Sequence, residues 1–299
     1  MGDPALDAPI TLDQLRVFLC VVETGSFSRA ARRLRRVQSA VSYSIANLER
    51  LLSVELFDRS GRTPVLTEAG RALLPDARAV CERMDRLHAR ARAITEGIEP
   101  RLSLAVDMLF PMPELLDALR ELSERFPLVM LHLRTEALGA VTQLVADGTC
   151  QIGIGVGLDN APREVASVPL TTVEMVQVAA PSHPLARLGR PLDPEDVRDE
   201  VQIVVTDRSS LTAGQDHGVF SDRTWRVADL DAKRAMILAG FGWGSMPRHR
   251  VEDDLAAGRL VALTMRGIPY KRVPLHALHR IADPPGPAGR WLLERLGRR

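Results

Sequence analysis

Arginine side chains are concentrated between residues 26 and 62 of this 299-residue chain. Eight arginines face only three acidic residues there, so this stretch carries a net charge of +5, whereas the whole chain carries +1. Guanidinium groups bind phosphate oxygens, and such a local excess predicts salt-dependent affinity for a phosphate backbone. The eight residues are Arg29, Arg32, Arg33, Arg35, Arg36, Arg50, Arg59 and Arg62.

Polar side chains that could read bases follow the first five of these arginines. Gln38 can pair bidentately with adenine, and the hydroxyls of Ser39 and Ser42 can reach bases or phosphates. On an isolated helix these residues would form an ordinary solvated face, but the flanking sequence favours contact with nucleic acid. The candidate DNA contacts are Ser26, Arg29, Arg32, Arg33, Arg36, Gln38, Ser39, Ser42, Tyr43, Asn47, Arg59 and Arg62.

Three short helices are predicted to carry these side chains. Apolar residues recur at helical spacing over 12–22, 27–34 and 40–52. Gly25 ends the first helix and Ser26 caps the second. The second and third helices, joined by a short turn, are typical of a helix-turn-helix, in which the third presents its polar face to the major groove.

A wing is predicted after the third helix. Ser60-Gly61 forms a turn signal between two short apolar runs, and Arg59 and Arg62 would flank the tip of the resulting hairpin. Arginine at that place suits a narrow minor groove or backbone phosphates. For Arg59, an ion pair with Asp58 or Glu55 stays open as an alternative.

A long helix with one narrow apolar seam is predicted to begin at Thr67. The seam keeps spacings of three and four over three heptads, and Gly97 and Pro100 end the helix. A lone helix with such a seam needs a partner, and the simplest partner is a second copy of the chain. The seam residues are Leu73, Ala77, Val80, Met84, Leu87, Ala91 and Ile94.

Strands and helices alternate from residue 102 onwards, which indicates an α/β domain with a parallel sheet. Strands are predicted at 102–106, 129–133, 151–156, 173–180, 201–205, 261–264 and 272–278. Helices are predicted at 114–126, 137–147, 230–239 and 290–296.

Enzyme, metal and cofactor chemistry have little support in the sequence. The glycine-rich runs at 153–157 and 240–244 do not lead into a helix with the spacing of a phosphate-binding loop. His276 and His279 are three apart on a predicted strand, so they would face opposite sides. The three cysteines lie far apart, and neither a membrane-spanning run nor a secretory signal is recognisable. We therefore expect a cytoplasmic protein that is not an enzyme and that has no metal or cofactor.

Five sequence blocks in the first 70 residues resemble the LysR family of bacterial transcriptional regulators. The blocks are LDQLRVF at 12–18, GSFSRAARRL at 25–34, QSAVSYSI at 38–45, LE with LFDR at 48–49 and 56–59, and LTEAG at 66–70. The C-terminal part matches more loosely, for example through AGFGWGSMP at 239–247. Three residues depart from the family pattern. Val37 and Asp107 each stand where a Ser or Thr is common, and Gln151 stands where an Asp is common.

The resemblance implies three parts. These are a winged helix-turn-helix at 9–67, a dimerising linker helix at 68–98 and a two-lobed α/β effector-binding domain at 101–299. The last part would resemble periplasmic binding proteins. Its lobe I would comprise residues 101–161 and 267–299, and its lobe II residues 162–266.

A ligand crevice is predicted between these lobes, because ligands of open α/β folds bind at the carboxyl ends of strands. Its apolar residues favour a partly apolar ligand, although packing in the core or hinge is an equal or better alternative for them. Asp107 and Asp207 would repel a carboxylate and favour hydroxyl or cationic groups. The candidate effector-binding residues are Asp107, Met108, Leu109, Phe110, Val156, Thr206, Asp207 and Trp243.

The expected function is regulation of transcription through a pseudo-palindromic promoter site. The expected partners are double-stranded DNA, a small-molecule effector, further copies of the chain in a dimer or tetramer, and RNA polymerase if the protein activates. A ligand-binding or scaffold protein with a degenerate head is the alternative. An enzyme regulated through a winged helix has no catalytic constellation in this sequence.

Overall fold

The computed structural model describes residues 9–61, 63–212, 218–267 and 272–298. Contacts within the chain divide it into two compact units, Met1–Arg92 and Ala93–Arg299. The first unit is helical with a small hairpin, and the second is a mixed α/β unit.

The N-terminal unit begins with three short helices, and their caps explain their limits. Thr11 and Gln14 form a capping box at the start of the first helix, and Gly25 ends it with a φ of 62°. The Ser26 side chain caps the second helix, whereas Val37 offers no side-chain cap to the third. The three helices are α1 (Leu12–Thr24), α2 (Phe27–Leu34) and α3 (Gln38–Leu52).

A two-stranded hairpin follows α3, as the turn signal predicts. Strand β1 (Phe57–Asp58) pairs antiparallel with β2 (Val65–Leu66). The ring of Phe57 makes edge-on contacts with Phe18 and Phe27, at centroid distances of 5.5 Å and 5.6 Å. These contacts fix the base of the wing on the helical core.

The long helix α4 (Glu68–Thr95) begins where Thr67 accepts a hydrogen bond from the amide of Gly70. Ala77 belongs to the core of the N-terminal unit, and Cys81 is also buried. Farther along the predicted seam, Val80 and Leu87 are 48% and 60% exposed. The single chain therefore leaves much of the seam uncovered.

The C-terminal unit contains nine strands in the part of the chain that the structure describes. The strands are β3 (Arg101–Asp107), β4 (Met130–Glu136), β5 (Ile152–Val156), β6 (Val165–Ala179), β7 (Gln202–Val205), β8 (Thr224–Val227), β9 (Trp243–Pro247), β10 (Val261–Leu263) and β11 (Arg272–Arg280). Their spatial order is β4-β3-β5-β11-β6-β9-β7-β8, and β10 also pairs with β6.

Seven helices connect or cover these strands within the described residues. They are α5 (Met112–Arg125), α6 (Gly139–Ala146), α7 (Pro184–Arg187), α8 (Pro194–Arg198), α9 (Leu230–Leu238), α10 (Arg248–Ala256) and α11 (Pro287–Gly297). None of the described helices is long and apolar enough to cross a membrane.

The long strand β6 joins two separately cored halves of this unit. Its first ten residues pair with β11, and its last five pair with β9. One core surrounds Leu104, Ile154 and Leu292, and the other surrounds Ile203 and Ile237. We call the half with β3, β4, β5 and β11 lobe I, and the half with β7 to β10 lobe II.

The sheet differs from the purely parallel arrangement that the sequence predicts. Each lobe has parallel strands at its outer side. In contrast, β6 and β11 run antiparallel to each other, and β6 continues from lobe I into lobe II. Strand β6 begins at Val165, eight residues before the predicted start at 173. The sequence pattern missed this first half because most of its residues are not buried and it therefore has no clear apolar alternation.

The sequence pattern did not predict β8, β9 or α10. Gly242, just before β9, and Gly244, within it, are residues typical of a loop, yet both are needed here for close packing between strands. A Cβ at Gly242 would lie 2.3 Å from the backbone oxygen of Val201. Strand β9 can therefore lie beside β7 only if that residue has no side chain.

Candidate nucleic-acid interface and ligand cavity

The exposed face of α3 carries the polar residues that were predicted to read bases. Burial of Val41, Ile45 and Leu48 orients the helix, and its 3.6-residue period turns the remaining side chains outward. Tyr43 is 75% exposed. Gln38 and Ser39, also exposed, lie in the first turn of α3.

The predicted arginines differ in how they are held. Arg29 and Arg32 are exposed, and neither forms an ion pair within the described residues. Arg33 pairs with Glu23 at 3.0 Å, and Arg36 forms a two-fold hydrogen-bonded pair with Asp13. That pairing lowers the pKa of Asp13.

These two pairs change an expectation drawn from the sequence alone. No carboxylate lies between residues 29 and 36, so the sequence offers these arginines no local partner. The fold brings Asp13 and Glu23 to them from α1. Because both pairs are exposed, each is weak and can exchange for a phosphate.

Arg59 also has a partner that neither sequence alternative included. It donates to Glu49 of α3 at 2.7 Å and lies over the ring of Phe27. Glu49 in turn accepts from the amides of Leu56 and Phe57. Arg59 and Glu49 therefore join the base of the wing to α3, and Arg62 lies outside the described residues.

Three further predicted contacts have local roles in the structure. Ser26 caps α2, and its hydroxyl lies 3.0 Å from that of Ser28. Asn47 accepts a hydrogen bond from Arg50 on the next turn of α3. Ser42 is half-buried on the same helix.

A cavity of about 660 Å³ lies between the lobes. Asp107, Met108, Leu109 and Val156 line it from lobe I, at the carboxyl ends of β3 and β5. The lobe II wall is formed by residues Met175, Gln177, Gln202, Val204, Val205, Leu230, Lys233 and Ser245, among others.

The other predicted effector residues do not line this cavity. Trp243 is fully buried in lobe II, where it stacks on Phe220. Phe110 is buried in the lobe I core and, with Thr206, borders a second cavity of about 360 Å³. For Trp243 and Phe110, core packing is therefore what the structure shows, because large apolar side chains gain most from complete burial.

Asp107 of lobe I and Asp207 of lobe II both accept hydrogen bonds from backbone amides at the start of α6. Asp107 accepts from the amides of Leu109 and Leu138 at 2.9 Å and 2.8 Å. Asp207 accepts from the amide of Gly139 at 2.9 Å and also binds Thr212. Since helix N-termini attract carboxylates, Asp207 of lobe II binds the start of α6 in lobe I, and we call this contact the clasp.

Asp207 lies outside the wall of the cavity between the lobes, although the sequence places it among the candidate effector-binding residues. Ser209 also donates to Asp207, through its amide and its hydroxyl. The approach requires a glycine, because a Cβ at Gly139 would lie 2.4 Å from the Ser209 hydroxyl. Burial raises the pKa of Asp107 to about 7, against the opposing effect of its two backbone hydrogen bonds.

Lys233 and Gln177 are cavity residues that sequence reasoning missed. The Lys233 side chain is 6% exposed, and burial lowers its pKa to about 8. The side-chain oxygen of Gln177 is buried without a hydrogen-bond partner in the described structure. One signal was available in the sequence, because Lys233 and Lys271 are the only lysines among 39 basic residues.

No group of metal-binding side chains occurs within the described residues. Cys20, Cys81 and Cys150 are buried free thiols. His276 contacts the Ser167 hydroxyl at 2.8 Å, and His279 contacts the backbone oxygen of Arg280. The two histidines thus have separate partners.

Comparison with protein families matches both units. A model described as "Bacterial regulatory helix-turn-helix protein, lysR family" matches residues 12–71, and one described as "LysR substrate binding domain" matches residues 95–299.

Curated relatives match most of the chain. The probable HTH-type transcriptional regulator YhaJ of Escherichia coli K12 is 32% identical over 263 residues, covering 86% of each chain. The HTH-type transcriptional regulator AceR of Acinetobacter baumannii is 31% identical, covering 82% of each. The HTH-type transcriptional activator AllS of Klebsiella pneumoniae is 31% identical, covering 85% of this chain and 95% of the relative.

Solved structures share the fold at lower sequence identity. A mutant of OxyR from Corynebacterium glutamicum has a TM-score of 0.60 and 21% identity, covering 98% of this chain and 94% of its own. CrgA, a LysR-type transcriptional regulator from Neisseria meningitidis, has a TM-score of 0.50 and 24% identity, covering 96% and 99%.

Proposed function

Because the chain belongs to the LysR family of transcriptional regulators, we propose that α3 reads promoter DNA and that the cavity between the lobes receives the effector. The chain is a transcriptional regulator with a helix-turn-helix DNA-binding domain and an effector-binding domain. The family prediction from the sequence is thereby confirmed. The observation that carries the residue-level proposal is the outward polar face of α3 within the matched segment.

On the DNA side, we assign reading and holding to different residues. Gln38, Ser39 and Tyr43 protrude from the first half of α3, which is the part a helix-turn-helix inserts into the major groove. Arg29 and Arg32 would neutralise phosphates, and Arg33 and Arg36 would join them by exchanging their exposed carboxylate partners. We assign Ser26, Ser42 and Asn47 to secondary contacts with the DNA. Arg59 would stabilise the wing.

On the effector side, the cavity has the properties of a small-molecule site. Its volume lies within the usual range of roughly 300–1,000 Å³, and its wall is mostly apolar with a few buried polar groups. A ligand there touches both lobes, so it shifts the balance between open and closed arrangements only through its differential contacts with them.

The segment that follows α4 is bound to lobe I. Glu99, just after α4, is buried, and its carboxylate accepts from the amides of Ala288 and Gly289 at the start of α11. Helix α11 also packs against α5 in the lobe I core. These contacts hold the segment after α4 to lobe I within the C-terminal unit.

The remaining parts of the proposal concern assembly and setting. We assign residues 9–67 to DNA binding, 68–98 to the dimerising linker and 101–299 to effector binding. Because Val80 and Leu87 are exposed in the single chain, we propose a dimer or tetramer held through the α4 seam. The protein would act in the bacterial cytoplasm, where chromosomal DNA lies, without enzyme activity, and an activating form would contact RNA polymerase.

The test is a binding titration of the full-length protein with the DNA upstream of its own gene. We expect tighter binding to this duplex than to a scrambled duplex of equal length, with affinity for both falling as salt rises. Equal affinity for the two duplexes at every salt concentration would contradict specific reading and favour a degenerate head.

A further inference from the structure

Lys233 is a cation without a counterion in the wall of the inter-lobe cavity. It lies on α9, is 6% exposed, and forms no hydrogen bond or ion pair within the described residues. A buried ammonium without a partner is costly, so such groups are normally paired or absent. The position therefore calls for a partner that the described chain does not supply.

The neighbouring backbone makes room for this side chain. A Cβ at Gly244 would lie 3.0 Å from the Lys233 Cε, so the lysine stem passes directly beside the bare glycine. The next residue, Ser245, pairs in register with Gln177, and both line the cavity. Lys233 thus reaches the cavity beside the wall that holds the unpaired oxygen of Gln177.

The choice of lysine is unusual for this chain. Apart from Lys233 and Lys271, every cationic side chain among its 39 basic residues is an arginine. Arginine needs several acceptors around a rigid fork and stays charged, whereas lysine is a compact point charge on a flexible stem. A buried position beside a cavity therefore suits lysine better than arginine.

The other charged residues that line the cavity are either hydrogen-bonded already or exposed to solvent. Asp107 already has both carboxylate oxygens bound to backbone amides. Asp159 and Arg272 are exposed and therefore solvated. Much of the remaining wall is apolar, including Met108, Leu109, Val156, Met175, Val205 and Leu230.

Resting on the proposed effector role of the cavity, we propose that Lys233 binds a carboxylate group of the effector. The effector is then a small organic acid with an apolar body against the lobe walls and a hydroxyl or N–H group that donates to Gln177. This assignment reverses the expectation, drawn from the aspartates in the sequence, that a carboxylate would be repelled.

The test compares carboxylates with the neutral amides of the same carbon skeleton. Benzoate, 3-phenylpropanoate and hexanoate, each paired with its primary amide, are titrated at millimolar concentration into the full-length protein without DNA. Thermal shift and calorimetry report binding. We expect at least one carboxylate to bind at least tenfold more tightly than its amide, and Lys233→Met to remove this preference.

The control variant is Arg208→Met, which removes an exposed cation beside the second cavity. It should bind the carboxylate as the wild type does. Binding of none of the three carboxylates, equal binding of an acid and its amide, or full binding by Lys233→Met would each overturn the proposal.

A measurement on the unaltered chain covers the case in which Lys233→Met fails to fold. Acetylation of the wild-type protein, followed by mass spectrometry, gives separate rates for its two lysines. The bound carboxylate should slow acetylation at Lys233 at least fivefold relative to Lys271, and unchanged relative rates would contradict the proposal. Because no DNA is present, this result is independent of whether α3 reads a promoter.

Discussion

At the scale of single residues, a base contact and a phosphate contact predict different effects of substitution on DNA affinity. Gln38→Ala should cost about 1–3 kcal/mol on the specific duplex and relax preference at one base position per half-site, because it removes a bidentate base contact. The measurement is a titration on specific and scrambled duplexes at several salt concentrations. Equal weakening on both duplexes would identify Gln38 as a phosphate contact.

Arg32→Ala is the matched variant for phosphate contact, since Arg32 is exposed and free of ion pairs within the described residues. It should weaken specific and scrambled binding alike. The salt dependence should become shallower by about one phosphate equivalent for each copy bound. A selective loss on the specific duplex would move Arg32 to the reading residues.

Lys233 also predicts a pH-dependent stability difference. Burial lowers its pKa from 10.5 to about 8, so the folded state holds this proton less tightly than the unfolded state. The penalty is complete below pH 8 and fades as pH rises towards 10.5. At about 1.4 kcal/mol per pKa unit, it amounts to roughly 3 kcal/mol.

Lys233→Met should therefore be more stable than the ligand-free wild type at pH 7, and this advantage should shrink between pH 8 and 10.5. Denaturant unfolding of both proteins across that range measures the difference. An advantage that does not change with pH would mean that packing, and not the charge, is responsible.

At the scale of elements, the clasp on α6 depends on one missing side chain. Gly139→Ala would place a Cβ 2.4 Å from the Ser209 hydroxyl and 3.0 Å from the Asp207 carboxylate. Alanine favours a helix, so the loss should come from displacement of Asp207. We expect destabilisation of about 1–3 kcal/mol and faster hydrogen exchange at the start of α6.

The control for this variant is Gly297→Ala, at the end of α11, where the added Cβ would meet only Leu170 at an ordinary 3.4 Å. It should leave stability and exchange nearly unchanged. If Gly139→Ala exchanges like the wild type at the start of α6, the clasp contributes nothing to holding the lobes together.

At the scale of the whole molecule, the uncovered seam of α4 predicts assembly. Val80→Asp with Leu87→Asp would bury two charges in that seam, at a cost of several kcal/mol. Light scattering should then report smaller particles than the wild type. The pair Ala79→Asp and Ala89→Asp, which adds the same charge to exposed positions off the seam, should leave the particle size unchanged.

A two-headed assembly also predicts the form of the binding site. Two copies of α3 related by symmetry should contact half-sites about 34 Å apart, or a multiple of that distance, on one side of the duplex. Footprinting of the promoter duplex measures this spacing. Protection of a single half-site would show that one head suffices.

The family, the helix-turn-helix with its wing and the polar face of α3 could all be predicted from the order of the residues alone. These features depend on local periodicity, caps and turn residues, which are written in consecutive positions. Thr11, Gly25 and Ser26 limit the helices in the structure as their types predict. The strand end at Val156 is the one predicted, and β3 ends at Asp107, one residue beyond its predicted end.

The contacts between groups far apart in the chain could not be predicted and became known from the folded arrangement. The fold pairs Arg36 with Asp13 and Arg59 with Glu49. It also places Asp207 at the start of α6, outside the wall of the cavity. It buried Trp243 and brought Lys233 to the cavity. Ion pairing and burial depend on distances between elements far apart in the chain, and no local pattern of residue types contains those distances.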